Sequence, residues 1–128
     1  TYNNMEYVID SSRSSNLAWE SVWMRPFPGL KSQIIKASLY HEDGGAASTI
    51  TFASKVDTTD AASYTTRFVA NTNGTYKTIV GNNNTLEGAI TGSITAFPDG
   101  HKHKIRITMT SGASLEKIKL RVRTRQRE

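Results

Sequence analysis

Two stretches near the C-terminus alternate apolar and polar residues without a break. In Lys104-Ile105-Arg106-Ile107-Thr108-Met109-Thr110 the apolar positions are 105, 107 and 109. In Lys117-Ile118-Lys119-Leu120-Arg121-Val122-Arg123 they are 118, 120 and 122, and every odd position is a cation. Side chains on a strand alternate between its two faces, so a period of two predicts two strands, each with one face in a core and one in water. Ser111-Gly112-Ala113-Ser114 lies between them and supplies a turn.

Earlier strands are predicted with less regular patterns. Residues 33–41 alternate through Ile35, Ala37 and Leu39 until Glu42-Asp43-Gly44-Gly45 interrupts them. Residues 48–54 put Ile50 and Phe52 on one face, and residues 63–70 put Tyr64, Thr66 and Phe68 in one register. Residues 75–80 form a short strand stopped by Gly81-Asn82-Asn83-Asn84. Residues 87–97 carry Ile90 and Ile94, and Pro98-Asp99-Gly100 turns the chain. Only residues 16–24 space apolar side chains in a helical manner, and Pro26 and Pro28 close that stretch; a strand through Trp19 competes with it. The expected fold is all-β, an antiparallel β-sandwich or jelly roll of about seven to nine strands with little helix; a small closed barrel is the runner-up. Residues 1–16 read as a linker or edge segment, with residues 7–10 a possible edge strand. Residues 17–128 read as a single β-sandwich domain.

Composition agrees with strands joined by polar turns. Thr (16), Ser (13), Gly (9) and Asn (8) are abundant, hydrophobic residues make up 37% of the 128, and charged residues make up 21%. No apolar run approaches the roughly 20 residues that span a bilayer as a helix. Residue 1 is Thr, and no signal-like segment follows it, so the chain reads as a processed or excised piece of something longer. There is no Cys, which excludes disulfides, thiolate metal sites and cysteine nucleophiles.

The net charge of +5 is concentrated at one end. Residues 101–128 hold nine Lys and Arg against two acids. From 117 to 127 the cations recur at every second position, about 6.6 Å apart along a strand. Such a row is able to track phosphates. No aromatic interleaves it, however, and none of the usual nucleic-acid motifs is present, so a nucleic-acid partner is not expected. Cations on an outer strand also block edge-to-edge pairing, which accounts for the row without any ligand.

Little else points to catalysis. The acids sit mostly at turns (Glu42, Asp43, Asp57, Asp60, Asp99), where Asp is favoured for bonding its own backbone. His101 and His103 would face the same way on a strand, with His41 a conceivable third metal ligand, but a polar lead-in to a strand accounts for both. No nucleophile elbow or phosphate-binding loop is present. No catalytic residue, metal or cofactor is therefore assigned, and the chain is not expected to be an enzyme. The aromatic residues Trp19, Trp23, Tyr40, Tyr64 and Tyr76 are the candidate binding residues. A sugar ring stacks on such side chains because they offer a large apolar area at small entropic cost. The competing reading is that Trp19 or Trp23 fills the core.

From His101 to Thr124 the chain resembles the closing strands of non-catalytic carbohydrate-binding jelly rolls. Its Thr-, Asn- and Gly-rich style without Cys is similar to C-terminal jelly-roll domains of phage tail spikes and fibres. The resemblance implies a binding domain of a larger extracellular or virion-surface protein that recognises a cell-surface polysaccharide. It also implies homo-oligomers, trimers first, and hence an alternative role in trimerising or capping a fibre. A glycan-degrading domain is the third expectation.

Overall fold

The computed structural model describes residues 2–8, 18–45, 48–110 and 112–124. They form eleven strands and no helix: β1 (Tyr2–Val8), β2 (Ala18–Glu20), β3 (Ser32–His41), β4 (Thr49–Val56), β5 (Thr65–Asn71), β6 (Lys77–Gly81), β7 (Thr85–Glu87), β8 (Ala89–Thr91), β9 (Asp99–Gly100), β10 (His103–Met109) and β11 (Leu115–Thr124). The predicted all-β sandwich is present. The count exceeds the expected seven to nine because β2, β7, β8 and β9 are only two or three residues long, too short to leave a periodic pattern. Residues 11–16 of the expected linker or edge segment lie outside the described residues.

All pairings are antiparallel. One sheet runs β1-β11-β3-β6-β7, with β9 also on β3; the other runs β2-β10-β4-β5-β8. The longer strands give β1-β11-β3-β6 facing β2-β10-β4-β5, so the chain passes back and forth between sheets as a jelly roll does. The cationic strand β11 is therefore flanked on both sides, by β1 and β3. This corrects the expectation of an outer strand: its cations cannot be there to block an edge.

The core is the set of alternate residues facing inward from both sheets. Ile105, Ile107 and Met109 of β10 meet Ile50 and Phe52 of β4, while Ile118, Leu120 and Val122 of β11 meet Ala37 and Leu39 of β3. Phe52 stacks on Phe68 at 5.1 Å between ring centres and takes the edge of Phe97 at 5.7 Å. Arg67 is buried beside this cluster, donating from Nε to Ser54 Oγ at 2.7 Å and from Nη1 to the Ala96 carbonyl at 2.9 Å.

Three of the four register shifts set which side chains face out. One between Arg121 and Val122 lets Ile34 rather than Ile35 enter the core, which corrects the expected Ile35-Ala37-Leu39 row. One between Phe52 and Ala53 leaves Arg67 unopposed and turns Thr66 away from Phe68, ending the expected Tyr64-Thr66-Phe68 register. One between Leu115 and Lys117 leaves Glu116 unpaired at the end of β11. An added residue in one strand switches the face of everything beyond it.

The three histidines are placed apart. His103 opens β10 on its inner face, buried, with Nε2 3.0 Å from Ser32 Oγ. His101 is exposed and precedes the strand, so the two do not share a face as expected. His41 is buried at the end of β3; its Nδ1 donates to the Glu42 carbonyl at 3.1 Å, which leaves Nε2 to accept from the Thr78 hydroxyl at 3.0 Å. Burial disfavours the imidazolium and lowers the pKa of His41 and of His103 below the ordinary histidine value. The unfolded chain then binds protons that the folded one refuses. Stability is complete well above the ordinary histidine pKa of about 6.5 and is lost as pH falls through and below it. Urea midpoints should drop between about pH 7.5 and pH 5. A level midpoint over that window would contradict this placement of the histidines.

Candidate functional site

Exposed aromatics decide where a ligand has room. Trp19 opposes Ile107 and turns inward, partly buried against the core, so it is no platform for a ligand. Trp23 and Tyr64 lie together outside β4 and β10, but their surroundings already occupy them. The Trp23 ring carries Lys102 Nζ at 4.3 Å from its centre, with Lys104 at 5.7 Å and Lys55 at 5.8 Å. Its indole N–H donates to Asp60 Oδ1 at 2.7 Å, and Lys104 pairs with that same oxygen at 3.0 Å. Lys55, only 4% exposed, donates to the carbonyls of Asp60 and Ala62 and sits 4.5 Å from the Tyr64 ring centre, with Arg106 at 4.6 Å. These bonds fasten the 57–64 loop to the sheet. The hydrogen bonds from Lys104 and then Trp23 hold the Asp60 carboxyl below its usual range, as expected of a structural acceptor.

Tyr40 and Tyr76 lie on the opposite sheet; Tyr40 is half-buried with lysines near its ring, Tyr76 is exposed, and hollows border both. Tyr40 points outward from β3, directly between Lys117 of β11 and Lys77 of β6. Tyr76, 68% exposed, stands just before β6, where its carbonyl accepts the His41 N–H at 2.9 Å. That bond ties the residues adjoining the two tyrosines together. Asp43 fixes the loop behind them by accepting the N–H of Gly74 at 2.9 Å and of Gly45 at 3.0 Å, which lowers its pKa.

Hollows on three sides meet at Tyr40. A groove of about 450 Å³ runs from it across Ser38 and Ile79 to Lys36, Lys119 and Arg121. A second hollow, bordered by Glu42, Asp43 and Glu116, separates it from Tyr76. A third passes between the tyrosines toward Lys77 and Glu87. The outer face therefore has tyrosines along its length, cations together with Glu6 at one end, and the carboxylates of Glu42, Asp43 and Glu116 at the other.

The cationic end is a finding the sequence did not give. Lys117 Nζ lies 5.0 Å and Lys119 Nζ 5.7 Å from the Tyr40 ring centre, so an aromatic does interleave this face, supplied by the neighbouring strand. This corrects the expectation that the row holds none. Lys36 was not a candidate at all; the bulge brings it directly opposite Arg121 on the same face. Like charges at directly opposed positions destabilise a sheet, by roughly 0.2–1 kcal/mol. Glu6 of β1 lies directly opposite Lys119 and pairs with Lys117 at 3.2 Å, while Lys77 pairs with Glu87 at 3.5 Å.

Among the described residues no three His, Asp or Glu side chains are grouped to hold a metal ion, and no helix is long and apolar enough to cross a membrane. Known protein families and curated proteins contain no match to this chain.

Proposed function

We infer that this domain is a non-catalytic binding module of an extracellular or virion-surface protein, and that it recognises a cell-surface glycan along the outer face of β11, β3 and β6. The observation that carries this reading is the pair Tyr40 and Tyr76 about one hollow, bordered by hydrogen-bonding side chains. An extended sugar chain needs aromatic area for its apolar faces and polar groups at its hydroxyls. Trp23, bonded to Asp60, and Tyr64, beside the Lys55 that holds the 57–64 loop, serve the fold instead. A glycan array tests the reading. Retention of at least one surface polysaccharide is expected, weakened about tenfold by Tyr40→Ala and by Tyr76→Ala, for a stacking loss of about 1.4 kcal/mol. No retention of any polysaccharide, or retention indifferent to both substitutions, would remove it.

A second reading, the trimeric cap of a fibre, is favoured by one observation. The same face carries cations outnumbering Glu6 at one end and carboxylates at the other, so one copy's Lys36 end complements the Glu116 end of the next. Contacts of that head-to-tail kind close into rings where the rotation between copies is a whole fraction of a turn. Light scattering decides: a salt-sensitive trimer supports the cap, and a monomer at every salt concentration excludes it.

A further inference from the structure

We propose that the outer edge of β1 is a self-association surface, where β1 of a second copy adds antiparallel and the two sheets continue into one. Among the described residues β11 takes one side of β1 and no strand takes the other. A free edge presents a row of unpaired backbone N–H and C=O groups, a template for another strand unless something guards it. The strands that end the two sheets elsewhere, β2, β7 and β8, are guarded by their shortness, at three residues each. β1 runs for seven residues, follows β11 without a register shift, and contains no Lys, Arg or Pro. Among these four edges it alone is long, regular and without a guard.

Register and charge select a second copy as the occupant. Met5 packs against the core, and Glu6, at the next position, is exposed and pairs with Lys117 at 3.2 Å. Antiparallel addition that keeps both inner faces on one side sets odd positions against odd and even against even. The register centred on Met5 does this and pairs all seven residues, with Met5 opposite its own counterpart and Asn4 opposite the partner's Glu6. Glu6 is the only charged residue of the strand, and in that register it does not meet itself. Neighbouring strands lie about 4.8 Å apart, which puts the two cationic β11 strands about 14 Å from each other. That exceeds the roughly 10 Å over which exposed charges act at 0.1 M salt. Between them stand two Glu6 carboxylates, each directly opposite the Lys119 of its own copy. The contact is isologous and closes as a two-fold dimer. Both Tyr40 grooves then open on one side of the joined sheet, so a polymeric ligand reaches two sites; the association itself stands without the glycan reading.

One strand pair is a small interface, so a monomer–dimer equilibrium is expected, followed by sedimentation velocity of the whole chain between about 1 and 300 µM. The chain has no Cys, so a single introduced thiol reports which edge is used. Met5→Cys sets two thiols opposite each other across the two-fold axis and should oxidise to a disulfide-linked dimer. Leu86→Cys, exposed on β7 at the far edge of the same sheet, should stay monomeric under the same oxidation. Should Met5→Cys disturb the core, an equal mixture of Asn4→Cys and Glu6→Cys, opposed in the same register, gives the cross-link instead. Glu6→Lys places a cation between the two β11 strands and should weaken association about tenfold. Circular dichroism of each variant separates loss of association from loss of fold. A monomer at every concentration would overturn the proposal. Equal cross-linking at both edges, or a dimer indifferent to Glu6→Lys, would overturn it by placing the contact elsewhere. A trimer would overturn it in favour of the fibre cap.

Discussion

Replacing Phe52 by Ala should lower the stability of the domain by about 3–5 kcal/mol, a large part of the roughly 5–15 kcal/mol available to a domain of this size. Phe52 is fully buried at the centre of β4, where Phe68 and Ile107 oppose it on either side. Truncation removes its own burial and its stacking on Phe68, and it withdraws the ring that Phe97 packs against edge-on. Phe97 lies in the irregular segment after β8, next to the Ala96 carbonyl that Arg67 binds. The hole therefore opens at the contact between that segment and the sheet of β4 and β5. Close-packed interiors collapse only partly around such a loss, which puts the cost in the upper range for the substitution. Urea unfolding should show a lower midpoint with an unchanged slope. A loss below about 1 kcal/mol would mean that the three rings do not organise the core.

The second large effect is expected at Gly88. Here the chain leaves β7 in one sheet and enters β8 in the other, with a single residue between them. The turn is made at φ +82°, and a Cβ would stand 2.5 Å from the Lys77 carbonyl oxygen and 3.0 Å from Thr78 Cα. Those are backbone atoms of the neighbouring strand β6 and cannot swing aside. Gly88→Ala thus combines the strain of a left-handed residue, about 1–2 kcal/mol, with a steric clash, for a loss of about 3 kcal/mol or more. Gly92, at φ +79° with open space around it, carries only the strain and should lose about 1 kcal/mol. Equal losses at both positions would contradict the close approach of β6 at Gly88.

In the sequence Phe52 shows only as sharing a strand face with Ile50, and Gly88 does not stand out; the reason is physical. Alternation marked β10 and β11 because residues 103–109 and 117–123 each stay in register with one long partner, β4 and β1. Where a bulge intervenes, the periodic pattern points to the wrong face, as at Ile35 and Thr66. Strands of two or three residues such as β7, β8 and β9 are fixed by what they pair with, so nothing local announces them. The candidate site has the same character. Tyr40 and Tyr76 were visible as aromatics, and the cations at 119 and 121 as a row. That Tyr40 and Lys36 share their face depends on β3 lying beside β11, a pairing between residues about eighty apart in the chain. Trp19 and Trp23 looked like equal candidates because composition cannot say that one ring turns inward and the other lies among lysines.

The most direct test of the binding face is backbone amide shift mapping during titration with an oligosaccharide cut from the best-retained polysaccharide. Shifts are expected at Lys36, Ser38, Tyr40, Tyr76, Lys119 and Arg121, with the opposite sheet unmoved. Shifts centred on Trp23 and Tyr64 instead would place the ligand on the other face and contradict the account.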